Sequence, residues 1–155
     1  MIHLEPMTEP DFNDYAEISI VDYAKGSPQY RELERAVAIK TVRAFFFTKI
    51  LPEGFQSKGH LFFSIYHLET KIGYLHLGEF PALGSKTLHA WNFLIFEPHR
   101  GQGFGKKTMM VAEKHLKALG YQRVTLNVWG NNTVALELYK AMGFEINQIQ
   151  MSRGL

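Results

Sequence analysis

The stretch Trp91-Asn92-Phe93-Leu94-Ile95-Phe96-Glu97-Pro98-His99-Arg100-Gly101-Gln102-Gly103-Phe104-Gly105-Lys106-Lys107 is a strand-like apolar run feeding a glycine loop. A helical pattern follows, with Met109, Met110, Ala112, Leu116 and Leu119 on its apolar side. A strand, a glycine loop and a helix start in that order make an anion site. The glycines let the backbone approach a ligand, and the free N–H groups of the first helical turn point at it. Lys106 and Lys107 fall in that turn, where the helix dipole disfavours cations, so an anion in the loop would account for them. Taken alone, the loop reads equally well as a helix start with two solvated lysines.

Three loop types compete for the anion. A Walker loop would need glycine at position 100, which is Arg100, and Ser or Thr directly after Lys106, where Lys107 stands. A dinucleotide loop would need Gly-x-Gly-x-x-Gly, but Gly101, Gly103 and Gly105 are evenly spaced. It would also need an acid ending the next strand, and Val124-Thr125-Leu126-Asn127-Val128 has none. The third type, Arg/Gln-x-x-Gly-x-Gly/Ala, is met by Arg100, Gly103 and Gly105.

The 155 residues suit a single domain spanning 1–155 with a proper core, and 46% hydrophobic residues with 12 Phe describe an ordinary interior. A formal charge of +2 without a basic aromatic stripe gives no reason to expect nucleic acid. With no cysteine there is no disulfide and no thiol nucleophile, which fits a cytoplasmic protein. No run approaches the ~18 apolar residues of a membrane span, so no membrane partner is expected. The histidines besides His89 (His3, His60, His67, His76, His99 and His115) show no ligand spacing, so no metal is expected.

Along the chain, Ile2 to Met7 reads as a strand, and Thr8-Glu9-Pro10-Asp11 as a capped helix start. Ser27-Pro28 reads as a second helix start, and Leu51-Pro52-Glu53-Gly54 as a turn. Strands are expected over His60–His67, Ile72–Leu77 and Leu88–Phe96, with a hairpin turn at 68–71 and a loop over Phe80–Ser85. A long helix to about Leu119 stops at Gly120. Val124–Val128 is a strand, Asn131 or Asn132 caps a short helix to Ala141, and Phe144–Met151 is the last strand. The class is α/β (α+β type), a central mixed, mostly antiparallel sheet of roughly six to seven strands with about four helices.

A second motif is Asn132-Thr133-Val134-Ala135-Leu136-Glu137-Leu138-Tyr139-Lys140-Ala141-Met142-Gly143-Phe144. On its own, Leu136, Tyr139 and Met142 on one helical side read as core. Behind the glycine loop, at this separation, the pair of motifs resembles the GNAT superfamily of N-acetyltransferases, from about Trp91 to Phe144. The N-terminal part matches only in the order of its elements.

The resemblance implies a single-domain GNAT-like fold and acetyl transfer from acetyl-CoA to a small-molecule or peptide amine. It places the pyrophosphate on the loop from Arg100 and Gly101 through Gln102, Gly103, Phe104, Gly105, Lys106 and Lys107, with Arg100 holding loop or phosphates. Pantetheine would pair with main-chain groups of Phe93 and Ile95, and an N–H of Leu94 or Ile95 would meet the oxyanion. Asn132 would bond the pantetheine arm, and Ala135 would let it pass. Tyr139 would protonate the leaving thiolate. A homodimer is an expectation from the family alone.

The acceptor amine must lose a proton before it attacks. Counting back along the strand to the family's usual base position lands on His89; a solvent-facing histidine, or water relaying protons, are the competing readings. Two contrasting functions stay open: a non-catalytic acyl-CoA-binding or sensing module, and a nucleotide-binding protein of another fold.

Overall fold

The computed structural model describes residues 1–155 except Pro81, Leu83 and Ser85, so the loop expected over Phe80–Ser85 lies partly outside the described residues. The first strand, β1, is Ile2–Pro6. Helix α1, Glu9–Gly26, opens with the expected reciprocal cap: the Asp11 N–H donates to Thr8 Oγ1 at 3.3 Å, and the Thr8 N–H donates to Asp11 Oδ2 at 3.4 Å.

The second helix departs from the expected start. Ser27 closes α1 instead, its N–H donating to Tyr23 O at 3.0 Å, and its hydroxyl caps nothing. The chain therefore makes one 3-10 turn at Pro28–Tyr30 before α2, Arg35–Phe45, which runs into a π-helical turn at Phe46–Ile50.

Strands β2 (His60–His67), β3 (Thr70–Glu79) and β4 (Thr87–Ile95) follow, then α3 (Phe104–Ala118), β5 (Arg123–Leu126) and α4 (Thr133–Ala141). Among the described residues five strands lie in the order β1-β2-β3-β4-β5, antiparallel except for the parallel pair β4–β5.

The sheet is thus smaller than expected. Residues 144–155 form no strand, and Ile146, Ile149 and Met151 stay exposed. The reason lies in their spacing: Ile146 and Ile149 are three apart, so no single face of an extended segment would be apolar.

Each face of the sheet carries its own core. On one, Phe12, Tyr15, Ala16 and Ile20 of α1 and Ala38 and Val42 of α2 pack over Phe62 and Tyr74. On the other, Phe104, Ala112 and Leu116 of α3 pack over Phe63, Ile65, Leu75, Leu77 and Leu88. Asp11 also ties α1 to the sheet, accepting from Ser64 Oγ at 3.1 Å and from Lys71.

Candidate active site

Strands β4 and β5 pair only from Thr87↔Arg123 to Ala90↔Leu126. Beyond Ala90 the strand β4 continues to Ile95 with no partner on that side among the described residues, and a bulge at Trp91 lies at the parting point. The Phe96 N–H donates to Ile72 O at 2.8 Å. Main-chain groups alternate along a strand. Those of Leu94 therefore face β3, and those of Phe93 and Ile95 face the gap. Phe93 and Ile95 thus turn their main-chain groups to the gap, whereas the Leu94 N–H is spent in the sheet.

The loop below β4 is tied up by its own side chains. Arg100 Nε donates to Ile95 O at 2.8 Å, and Gln102 Nε2 donates to Pro98 O at 3.1 Å. Arg100 therefore holds the loop to the end of β4. Gly101 and Gly103 have φ of 73° and 74°, a region costly for any side chain, and both are open to solvent. Gly103 starts α3 with no side-chain cap, so the first-turn N–H groups have no side-chain acceptor there.

The third glycine has a different task. A methyl group on Gly105 would sit 3.2 Å from Leu138 Cδ2, so this residue lets α4 pack against α3. Phe104 turns its ring inward, 8% exposed, against His67. Lys106 and Lys107 are exposed, and among the described residues neither joins an ion pair. Positive charge gathers here: burial first, then the N-terminus, Lys107 and His99, hold the His67 pKa down.

On α4, Asn132 Oδ1 accepts from the Ala135 N–H at 3.2 Å, so its carbonyl oxygen caps the helix and its NH2 is left for other work. Ala135 is half-buried. The Tyr139 ring is half-buried against Phe144, centroids 5.5 Å apart, and burial raises its pKa, keeping the phenol protonated at neutral pH.

His89 lies one residue before the parting point and is 9% exposed, not solvent-facing. Its Nδ1 lies 2.9 Å from Thr125 Oγ1, and its ring meets Trp91 edge-on at 4.8 Å. Thr125 Oγ1 is also 3.5 Å from Leu88 O. A Thr125 proton turned to that carbonyl makes His89 Nδ1 the donor and leaves Nε2 as the basic nitrogen. Burial lowers the His89 pKa, so the ring is neutral at pH 7.

Sequence reasoning passed over His60 and His76, which the fold brings together. His76 Nε2 lies 2.8 Å from His60 Nδ1, and its Nδ1 lies 2.6 Å from the Tyr15 hydroxyl. The hairpin turn would have revealed the pair, because pairing Phe62 with His76 puts His60 diagonally across. Asn92, next to the bulge, donates from Nδ2 to Ser19 Oγ at 2.7 Å. Among the described residues no cluster of His, Asp or Glu is arranged to hold a metal, and no helix is long and apolar enough to cross a membrane.

An uncapped helix start offers N–H groups to an anion, and a strand that parts from its neighbour offers main-chain groups to an extended ligand. The comparisons agree with that geometry. The sequence model of the Acetyltransferase (GNAT) family matches residues 20–144, and the chain belongs to that family. It is similar to the uncharacterized N-acetyltransferase YdgE of Bacillus subtilis, 27% identical over 98% of this chain and 97% of the relative. The spermine/spermidine N(1)-acetyltransferase of the same organism is 32% identical over 54% of this chain and 58% of its own. Among solved structures, Bacillus subtilis YycN superposes with a TM-score of 0.91 at 24% identity, over 100% of this chain and 99% of that one. The PaiA N-acetyltransferase of Thermoplasma acidophilum, solved in complex with coenzyme A, superposes with a TM-score of 0.69 at 19% identity, over 97% and 93%. The chain is accordingly an acetyl-CoA-dependent acyltransferase.

Proposed function

We propose that this enzyme acetylates a small primary amine by direct attack on the thioester, both substrates being bound together. The observation that carries the reading is the parting of β4 from β5 after Ala90 and Leu126, directly before a loop with an uncapped helix start. The first-turn N–H groups from Gln102 to Lys106 would hold the diphosphate, with Lys106 and Lys107 adding charge. Phe93 would hydrogen-bond the pantetheine amides through its main-chain groups. Arg100 already occupies the Ile95 carbonyl, so the Ile95 N–H is the group left there. The same N–H is the donor for the developing oxyanion. Asn132 would reach the arm through its NH2.

Acetyl-CoA supplies the activated acyl group. The chain's part is to position it and move protons. His89 Nε2 takes a proton from the acceptor ammonium, and the freed nitrogen attacks the carbonyl carbon. Tyr139 gives its phenolic proton to the departing sulfur, and the nitrogen, now bonded to the carbonyl carbon, gives up its second proton, which returns through solvent to the phenolate. The net reaction turns ammonium and thioester into amide, thiol and one proton. No covalent enzyme intermediate is needed.

A relative named for spermine and spermidine makes polyamines the first acceptors to try. The test is thiol release from acetyl-CoA with spermidine, n-propylamine and a lysine peptide, with products identified by mass spectrometry. Amine-dependent release supports the reading. Coenzyme A binding without release under any amine would make the chain a binding module instead.

A further inference from the structure

The side from which an acceptor reaches His89 follows from the register of β3 on β4. Tyr74, His76 and Gly78 alternate along one face of β3, and Leu94, Asn92 and His89 lie opposite them. Tyr74 packs under α1, and His76 Nδ1 lies 2.6 Å from the Tyr15 hydroxyl of that helix. His89 and Asn92 therefore stand on the α1 side of β4. An amine that gives its proton to His89 arrives from that side.

Helix α1 touches both lips of the opening there. Asn92 Nδ2 on β4 donates to Ser19 Oγ at 2.7 Å. Trp129, three residues past the end of β5, lies against Gly26: a methyl group on that glycine would sit 3.2 Å from Trp129 Nε1. The Trp129 ring also meets Tyr23 edge-on, with centroids 5.5 Å apart. Ser19 and Gly26 are separated by about 10.5 Å along the helix. Between them on the same side, three residues after Ser19 and four before Gly26, is Asp22. Asp22 thus stands over the space between two strands that have parted, and it borders an open cavity of about 320 Å³ that Glu17, Ile18 and Val21 also line.

The two acids of that cavity differ in their charge balance. Glu17 is held by Arg43 through two hydrogen bonds, at 2.5 and 2.7 Å, so its charge is spent. Asp22 is exposed, and among the described residues it joins no ion pair, with Lys25 or any other cation. It also borders the last turn of α1, where the helix dipole disfavours an anion and favours a cation. An unpaired carboxylate at that end of a helix costs stability that a bound cation restores. Beside it, the half-buried Ile18 and Val21 offer contact to methylene groups.

We infer that Asp22 is a specificity-determining residue for a diamine or polyamine acceptor, its carboxylate holding the second ammonium while the first nitrogen reaches His89. The spacing suits this. Asp22 lies about 4.5 Å along α1 from Ser19, which touches β4 at Asn92. Two nitrogens joined by three methylenes lie about 5 Å apart when extended. The inference rests on the proposed acetylation of an amine and names the acceptor class.

The test compares 1,3-diaminopropane with n-butylamine, which differ only in a distal ammonium against a methyl group. Wild type should show roughly tenfold higher kcat/KM for the diamine, the worth of one hydrogen bond to a charged group. Asp22→Asn should abolish that ratio, with the loss in KM and with coenzyme A affinity by calorimetry as in wild type. Asp22→Glu should retain most of the preference. Glu69→Gln, in the exposed turn between β2 and β3, controls for net charge and should retain it in full. Added salt should weaken the preference in wild type and leave Asp22→Asn unaffected.

Thiol release from wild type without preference for the diamine overturns the inference and leaves the acetylation standing. An Asp22→Asn enzyme that keeps the preference does the same. Wild type that binds coenzyme A but releases no thiol with any amine overturns the proposed function first, and this inference with it.

Discussion

Gly73 of β3 lies opposite the stretch of β4 that would hold the acyl donor, and replacing it with alanine tests how rigid that stretch is. A methyl group there would overlap the Leu94 carbonyl oxygen, with Leu94 C at 3.0 Å and Ile95 Cα at 3.1 Å. All three are main-chain atoms, so no side chain can swing aside. The two strands would have to separate by about 1.5 Å to restore ordinary contact.

That displacement weakens the Phe96–Ile72 hydrogen bond of 2.8 Å and its neighbour in the ladder. Two such bonds contribute about 1–3 kcal/mol, and the overpacking adds about 1–3 kcal/mol. The expected loss is therefore about 2–6 kcal/mol, or roughly 10 °C in Tm for a chain of this size. Thermal unfolding by circular dichroism measures it, and coenzyme A calorimetry should show weaker binding because Phe93 and Ile95 shift with the strand. Gly130→Ala, with open space around it, is the control and should melt like wild type. A Gly73→Ala protein within about 2 °C of wild type with full coenzyme A affinity would refute the reasoning.

Gly103→Val forces a branched side chain into φ 74° and obstructs the loop. Coenzyme A should bind at least roughly tenfold more weakly, and equal affinity by calorimetry would overturn the diphosphate assignment. Tyr139→Phe should lower kcat by about 10²-fold or more with cofactor affinity unchanged; stopped-flow thiol release that matches wild type would leave the ring a packing role only. Acid should destabilise the protein through His76, which is neutral in the fold and protonates more readily when unfolded. Its stabilising effect is intact above about pH 6.5 and is lost below it at up to about 1.4 kcal/mol per pH unit. Urea unfolding at several pH values reads this slope, and His76→Gln should flatten it.

The glycine loop and the helix it opens were legible because their geometry is local. Arg100, Gly101, Gly103 and the helix they open are contiguous, and positive φ at both glycines is a demand the sequence states directly. The cap on α1 was legible for the same reason. The later start of α2 was not, since Ser27 could serve either helix and only the packed chain gives it to α1. The strand expected after Phe144 shows the opposite failure, an apolar-looking run whose apolar positions would fall on both faces of an extended segment. His60, His76, Tyr15, Ser19 and Asn92 come from four separate elements. Nothing but the register of β2 on β3 and the seating of α1 joins them. His89 was found by counting, but its contact with Thr125 depends on the parallel pairing of β4 with β5.

The sheet keeps two interiors apart, one under α1 and α2 and one under α3. Substitutions can therefore accumulate in one layer without disturbing the packing of the other. On the proposed function, a lineage can retool the wall that would meet the amine while the layer under the glycine loop stays as it was. Acceptor preference in such a molecule is free to drift faster than its grip on the donor.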